Sequence, residues 1–181
     1  MRIFLLLGRQ HQALGLISRA LQADPTDVQA LASRAHVLAE QGEKPAALQA
    51  LAQLVSVAPE HSAGWFNYGF LSEDMGLLEQ AESAFQRAIA LDPQFDRAWY
   101  GLALSLIRQR RLEEAITALK KNTELQPMSP YGWYQLARVH VERQESEEAA
   151  KIIRHLRRFE PKVADQLERE TGLRAARLDV V

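Results

Sequence analysis

Trp65, Trp99 and Trp133 stand 34 residues apart, and Pro93, Pro127 and Pro161 keep the same step. Continued backwards, the step lands on Pro59 and Pro25. A fixed step in the range of about 20–50 residues marks a repeat array, in which each unit is one supersecondary element. That excludes an ordinary single-core arrangement. A short unit cannot bury its apolar face alone, so stacked copies must bury it against each other.

Counting from the step, units begin at Val28, Ser62, Asp96 and Pro130. The first half of each is apolar at its fourth, seventh, eighth and eleventh places; in the third unit these are Trp99, Leu102, Ala103 and Leu106. Spacings of three, one and three residues share one face of an α-helix. The second half repeats the pattern, with Ala81, Phe85 and Ala88 in one unit and Ala115 and Leu119 in the next. Gly42 and Gly76 lie between the halves, where the chain must reverse, and proline closes each second helix. Small residues recur where two helices must come close: Ala13, Ala47, Ala81, Ala115 and Ala149 in one phase, Ala35, Gly69, Ala103 and Ala137 in another. The fold class read from this pattern is all-α, an α-solenoid of helix-turn-helix units.

These residues closely resemble the tetratricopeptide repeat (TPR), whose pattern is Trp, Leu, Gly, Tyr, then Ala, Phe, Ala, then Pro over 34 residues. Ser62–Gln94 is the best match, through Trp65, Tyr68, Gly69, Ala81, Phe85, Ala88 and Pro93. Asp96–Met128 matches with Asn122 in place of the second alanine, and Pro130–Lys162 matches through Trp133, Leu136, Ala137, Ala149, Ile153 and Pro161. Val28–Glu60 departs further: Leu31 replaces the tryptophan, and Arg34 takes a place usually apolar. The resemblance implies a right-handed superhelix. The expected organisation is a single array over 1–172, with a partial unit at 1–27, units at 28–61, 62–95, 96–129 and 130–163, and a capping helix at about 162–171. The tail is 173–181.

Upstream, Gly8, Ala13, Ile17, Ala20 and Pro25 fit a second helix. Met1–Leu7 then fits only the last half of a first helix, so the chain is expected to start mid-repeat. The apolar run Ile3, Phe4, Leu5, Leu6 and Leu7 would leave part of the stack uncovered, which points to a homodimer through this end. The run is too short for a signal peptide, and no stretch reaches the ~18 apolar residues of a membrane helix. Downstream, Lys162–Thr171 carries Val163 and Leu167 on one face, and Gly172 is expected to end that helix.

The 181 residues hold 22 Lys and Arg against 23 Asp and Glu. A net charge of −1 gives no global pull on nucleic acid or anionic membrane. Without cysteine there are no disulfides, thiolate nucleophiles or cysteine metal sites. The five histidines, His11, His36, His61, His140 and His155, include no pair at the i, i+4 spacing of a helical zinc site. His140 falls at a core-facing place and His36 on the opposite side. No glycine-rich phosphate loop or nucleophile elbow occurs. Glu113–Glu114 and Glu147–Glu148 begin second helices, where acidic residues suit the helix dipole. The reading is non-catalytic, with no cofactor and no metal.

Charge is uneven along the chain. Arg108, Arg110 and Arg111 cluster at one turn, and Lys151, Arg154, Arg157, Arg158 and Lys162 make a basic run. In 61–95, Glu73, Asp74, Glu79, Glu82 and Asp92 face Arg87 alone. Both runs read as solvated faces, or as surfaces for self-association or an acidic partner. No aromatics interleave with the basic run, so nucleic acid is not expected.

The TPR resemblance also places a groove. The second, fifth, ninth and twelfth to thirteenth places of TPR first helices line the concave side. Here the fifth and ninth are Ala32 and His36, Phe66 and Phe70, Tyr100 and Leu104, and Tyr134 and Arg138, with Asn67, Glu73, Asp74, Arg97, Arg108 and Tyr131 nearby. The tryptophans serve the core faces, so these aromatics are surplus to the core. Exposed aromatic surface marks a binding site, and aromatics with Arg are common interface anchors. The expected partner-binding residues are Phe66, Asn67, Phe70, Arg97, Tyr100, Leu104, Tyr131, Tyr134 and Arg138. A two-carboxylate clamp of the kind some TPR proteins use cannot be assembled, because Ala32, His36 and Gly101 occupy required places. The function expected is a protein–protein interaction adaptor, taking a peptide or helix in an aromatic groove. The alternatives are the TPR portion of a larger sulfotransferase- or glycosyltransferase-type enzyme, or a homo-oligomeric scaffold. A cytoplasmic location is expected, with the periplasm as the alternative.

Overall fold

The structure is a computed structural model that describes residues 2–173, and side chains from Gln12 onward. Among the described residues there are ten α-helices and no strand. They are α1 (Arg2–Ala23), α2 (Val28–Glu40), α3 (Lys44–Val57), α4 (Ser62–Asp74), α5 (Leu78–Leu91), α6 (Asp96–Arg108), α7 (Leu112–Leu125), α8 (Pro130–Glu142), α9 (Ser146–Arg157) and α10 (Pro161–Thr171). They fall into two compact units, Met1–Pro93 and Gln94–Val181. Within each unit every helix packs on the next, and α10 packs on both α9 and α8.

The same device makes each turn inside a helix pair. Gly42, Gly76, Arg110 and Gln144 follow the step, and all four have positive φ, at 81°, 78°, 63° and 63°. The next residue's amide reaches back to close the helix: Glu43 to the Leu38 carbonyl at 2.9 Å, Leu77 to Ser72 at 2.8 Å, Arg111 to Leu106 at 3.0 Å and Glu145 to His140 at 2.8 Å. This is the Schellman ending, which favours glycine at its left-handed residue. Arg110 and Gln144 hold that conformation with a Cβ, which costs a non-glycine residue about 1–2 kcal/mol. Gln144→Gly should therefore raise stability by about 0.5–1 kcal/mol, the freer unfolded chain offsetting part of the gain. Thermal denaturation reads this as a rise of a few degrees; a fall would show that the Gln144 side chain holds the turn.

The step also carries a hydrogen bond. The indole N–H of Trp65 donates to the Pro59 carbonyl at 2.9 Å, and that of Trp133 to the Pro127 carbonyl at 2.9 Å. Both tryptophans are half-buried, and Trp65 packs against the buried Leu31, Leu54 and Val55, in keeping with its expected place on the core face. The closed core is made by Leu31, Leu54 and Phe85 in the first unit, and by Leu119, Ile153, Leu156 and Leu167 in the second. Asn122, at the place of the second alanine, is buried and its amide donates to the Asp96 carbonyl at 2.9 Å. Gly132 leaves it room: a Cβ there would stand 2.2 Å from the Asn122 Oδ1.

One sequence reading changes, and two are refined. α1 is one continuous helix from Arg2 to Ala23, with no reversal at Gly8. A helix interior tolerates one glycine at a cost of roughly 1 kcal/mol, and no proline forces a turn there. Second, the capping helix starts at Pro161 and buries Ala164 with Leu167, while Val163 is only half-buried. Its end is as expected, with Gly172 at φ 71° and its amide on the Glu168 carbonyl at 3.0 Å. Third, part of the basic run is internally neutralised: Arg157 ties α9 to Asp165 at 3.0 Å and Glu168 at 2.7 Å on α10. The side chains of Ile3–Leu7, and with them the proposed dimer contact, lie outside the described residues.

Candidate binding surface

In the first unit α2 and α4 present the expected places. Phe66 and Phe70 are i, i+4 neighbours, and their rings stack at 6.2 Å with 28° between planes. Phe66 is half-buried, and its ring also meets Phe85 at 5.9 Å. So Phe66 belongs partly to the core, and Phe70 is the aromatic that reaches solvent, at 60% exposure. Asn67 is exposed beside it.

Phe70 and Asn67 border a cavity of about 390 Å³ with Ala32, His36, Leu71 and Asp74. Its floor is apolar, from buried Ala35, Leu51 and Leu71. Lys44 Nζ pairs with Asp74 Oδ2 at 2.7 Å across the wall, and His36 Nε2 lies 3.4 Å from Glu40 Oε1. His36 thus stands on the open side, as the sequence placed it.

In the second unit Tyr134 and Arg138, also i, i+4 on α8, come together: the guanidinium lies 5.8 Å from the ring centre. The Tyr134 hydroxyl donates to Glu170 Oε2 on α10 at 2.6 Å, and Gln166 Nε2 donates to Glu170 Oε1 at 2.8 Å. Bonding to that carboxylate, then burial, raises the phenol pKa; the same bonds lower that of Glu170. Tyr134 is thus an anchored ring and not a free hydroxyl. It lines a cavity of about 600 Å³ with Ile107, Gln135, Arg138, Glu142 and Glu170. Glu142 is paired with Arg110.

The remaining expected residues stand on α6 and α8. Tyr100 and Leu104 are half-buried on α6. The Arg97 guanidinium stands 5.4 Å over the Phe95 ring. Tyr131 opens α8 at 70% exposure. Sequence reasoning missed Lys44 and Glu170. Lys44 pairs across 30 positions with Asp74, and nothing in the local pattern signals that. Glu170 sits on α10, which starts at Pro161, out of step with the 34-residue phase that α2, α4, α6 and α8 share.

His140, read as structural, is buried, with Nδ1 at 2.6 Å from Glu145 Oε2. Bonds from His140 and Arg143 hold the Glu145 carboxyl below its ordinary pKa. These groups, with Arg143 bonded to Glu113 at 2.6 Å, lock the α8–α9 turn. Among the described residues no cluster of three or more His, Cys, Asp or Glu side chains is arranged to hold a metal.

A family model described as tetratricopeptide repeat matches residues 2–62, 33–70 and 73–122. No curated protein sequence matches the chain. Among solved structures, the chain is similar to MamA at 22% identity, covering 92% of this chain and 93% of that one, with a TM-score of 0.78. It is similar to YrrB, described as a TPR protein with an unusual peptide-binding site, at 16% identity, 93% and 88% coverage and a TM-score of 0.79. A third is the Thermobaculum terrenum O-GlcNAc transferase, at 25% identity and a TM-score of 0.64; the match covers 72% of this chain but 26% of that one. At these identities the likenesses speak for the fold.

Proposed function

The chain belongs to the tetratricopeptide repeat family, and on that premise we propose that it is a non-catalytic interaction module that takes a peptide or helix of another protein on its first-helix faces. The observation that carries this reading is Phe70. Its ring is mostly in water, yet it is held by stacking on Phe66, which rests on the buried Phe85. A rigid, exposed aromatic at the rim of an apolar-floored cavity is the arrangement from which interfaces draw most of their energy. Tyr134 and Arg138 supply a second such anchor in the second unit. The peptide-binding site described for YrrB is consistent with this use of the fold.

The test is affinity capture with mass spectrometry, followed by calorimetry with the captured protein. Phe70→Ala should cost roughly 1–2 kcal/mol of affinity, about five- to thirtyfold, with helicity unchanged. Unchanged affinity on losing both Phe70 and Tyr134 would move the binding site off these faces.

A second reading, the TPR portion of a larger enzyme, is favoured by one observation: the match to the Thermobaculum terrenum transferase takes up only 26% of that chain. The genomic reading frame separates the two, since this reading requires a catalytic domain encoded beside the repeats. No helix among the described residues is long and apolar enough to cross a membrane.

A further inference from the structure

We propose that the cavity between α2, α3 and α4 is an anchor pocket for one uncharged apolar side chain, aliphatic or aromatic, of a partner polypeptide. The inference rests on the adaptor reading above and names the chemistry that its first unit selects. Ala32 and Ala39 stand in the wall where larger side chains would fill the space, and buried Leu51 and Leu71 close the floor. At about 390 Å³ the space lies at the lower end of the range for ligand pockets, which suits a single side chain and not a whole helix. Phe70 stands at the mouth, placed to cover an inserted group.

The charges exclude the other occupants. The two charged groups on the wall already partner each other, Lys44 with Asp74 at 2.7 Å, and the His36 ring lies 3.4 Å from Glu40. An inserted carboxylate or ammonium would lose water and would have to compete for a counter-ion that is already engaged in the Lys44–Asp74 pair, which is costly. A leucine, methionine or phenylalanine loses nothing and removes apolar surface from water. Asn67 is the one uncharged polar side chain at the rim, suited to a partner's backbone. The second unit's cavity is built differently, with Arg138, Glu142 and Glu170 in its wall.

The test needs no identified partner. The isotope-labelled full chain is titrated with N-acetyl-leucinamide, N-acetyl-lysinamide and the N-acetyl amide of glutamate, and backbone resonances of residues 32–39 and 67–74 are followed. The leucine amide should shift these resonances, and the two charged amides should bind at least about tenfold more weakly. Ala39→Trp, at an exposed wall position, should abolish the response with unchanged circular dichroism. Asp74→Ala strips Lys44 of its counter-ion and should admit the glutamate amide. No shift with the leucine amide, equal shifts with all three, a response that survives Ala39→Trp, or continued exclusion of glutamate from Asp74→Ala would each overturn the proposal. Failure of the adaptor reading looks different: the full chain captures no protein while the leucine amide still binds.

Discussion

Phe85→Ala is expected to lower the free energy of unfolding by about 3–5 kcal/mol, the range for emptying a closed core of a phenyl ring. Phe85 is 1% exposed and is the largest fully buried side chain among the described residues. Apart from the Phe66 ring, little beside it can move in to fill the void. On the α4 side Gly69 stands so near that a Cβ there would lie 3.0 Å from the ring, and glycine has no side chain to move in. On α5 the neighbouring buried positions are Ala81, Ala84 and Ala88, which are too short to reach across. The cost should therefore lie in the upper part of the range. The variant should also weaken partner binding, because Phe66 loses the surface on which it rests and Phe70 stacks on Phe66. Denaturant unfolding measures the first effect. A loss below about 1 kcal/mol would mean that the ring is not enclosed and that the phase assigned to α5 is wrong.

The helices were legible because their signal is periodic. Val28, Ser62, Asp96 and Pro130 each open a helix, at the residue the 34-residue step marks. The same step located Gly42 and Gly76, but not Arg110 and Gln144, whose residue types give no hint of a left-handed backbone. Only the backbone bonds, repeated at all four turns, show that the position and not the glycine is constant. At Gly8 the reasoning ran the other way: a glycine in phase was read as a boundary, and the helix passes through it. Glycine permits a turn without requiring one.

The candidate site was legible where it depends on one helix. The i, i+4 rule placed Phe66 beside Phe70 and Tyr134 beside Arg138, and both pairs are found. It was not legible where the contact joins helices. That Phe66 leans on Phe85, 19 positions on, decides which of the two phenylalanines is a support and which an anchor. That Tyr134 is held by Glu170 depends on where α10 lies, and α10 leaves the repeat phase. The tryptophans show the same limit: their spacing marked a core face, on which Trp65 packs, but gave no sign that the N–H of Trp65 and of Trp133 donates to a proline carbonyl in the preceding turn.

Ala115→Leu should destabilise the second unit by about 1–3 kcal/mol through overpacking. Ala115 is fully buried at the start of α7, and Ala103 is fully buried on α6, against which α7 packs. The first unit shows how close two helices come at the corresponding places, Ala81 and Gly69. A Cβ on Gly69 would stand 3.2 Å from the Ala81 carbonyl. A leucine at 115 brings three more carbons into such a contact, so α6 and α7 must part or the side chain must leave its rotamer. Thr117→Leu, two residues on and exposed, makes a matched control with the same end product and should stay within about 0.5 kcal/mol of the parent. Thermal unfolding of the two variants side by side is the measurement. If Ala115→Leu melts with Thr117→Leu and the parent, the small residues at this phase are not there to let helices approach, and the packing assigned to the whole array of alanines fails with them.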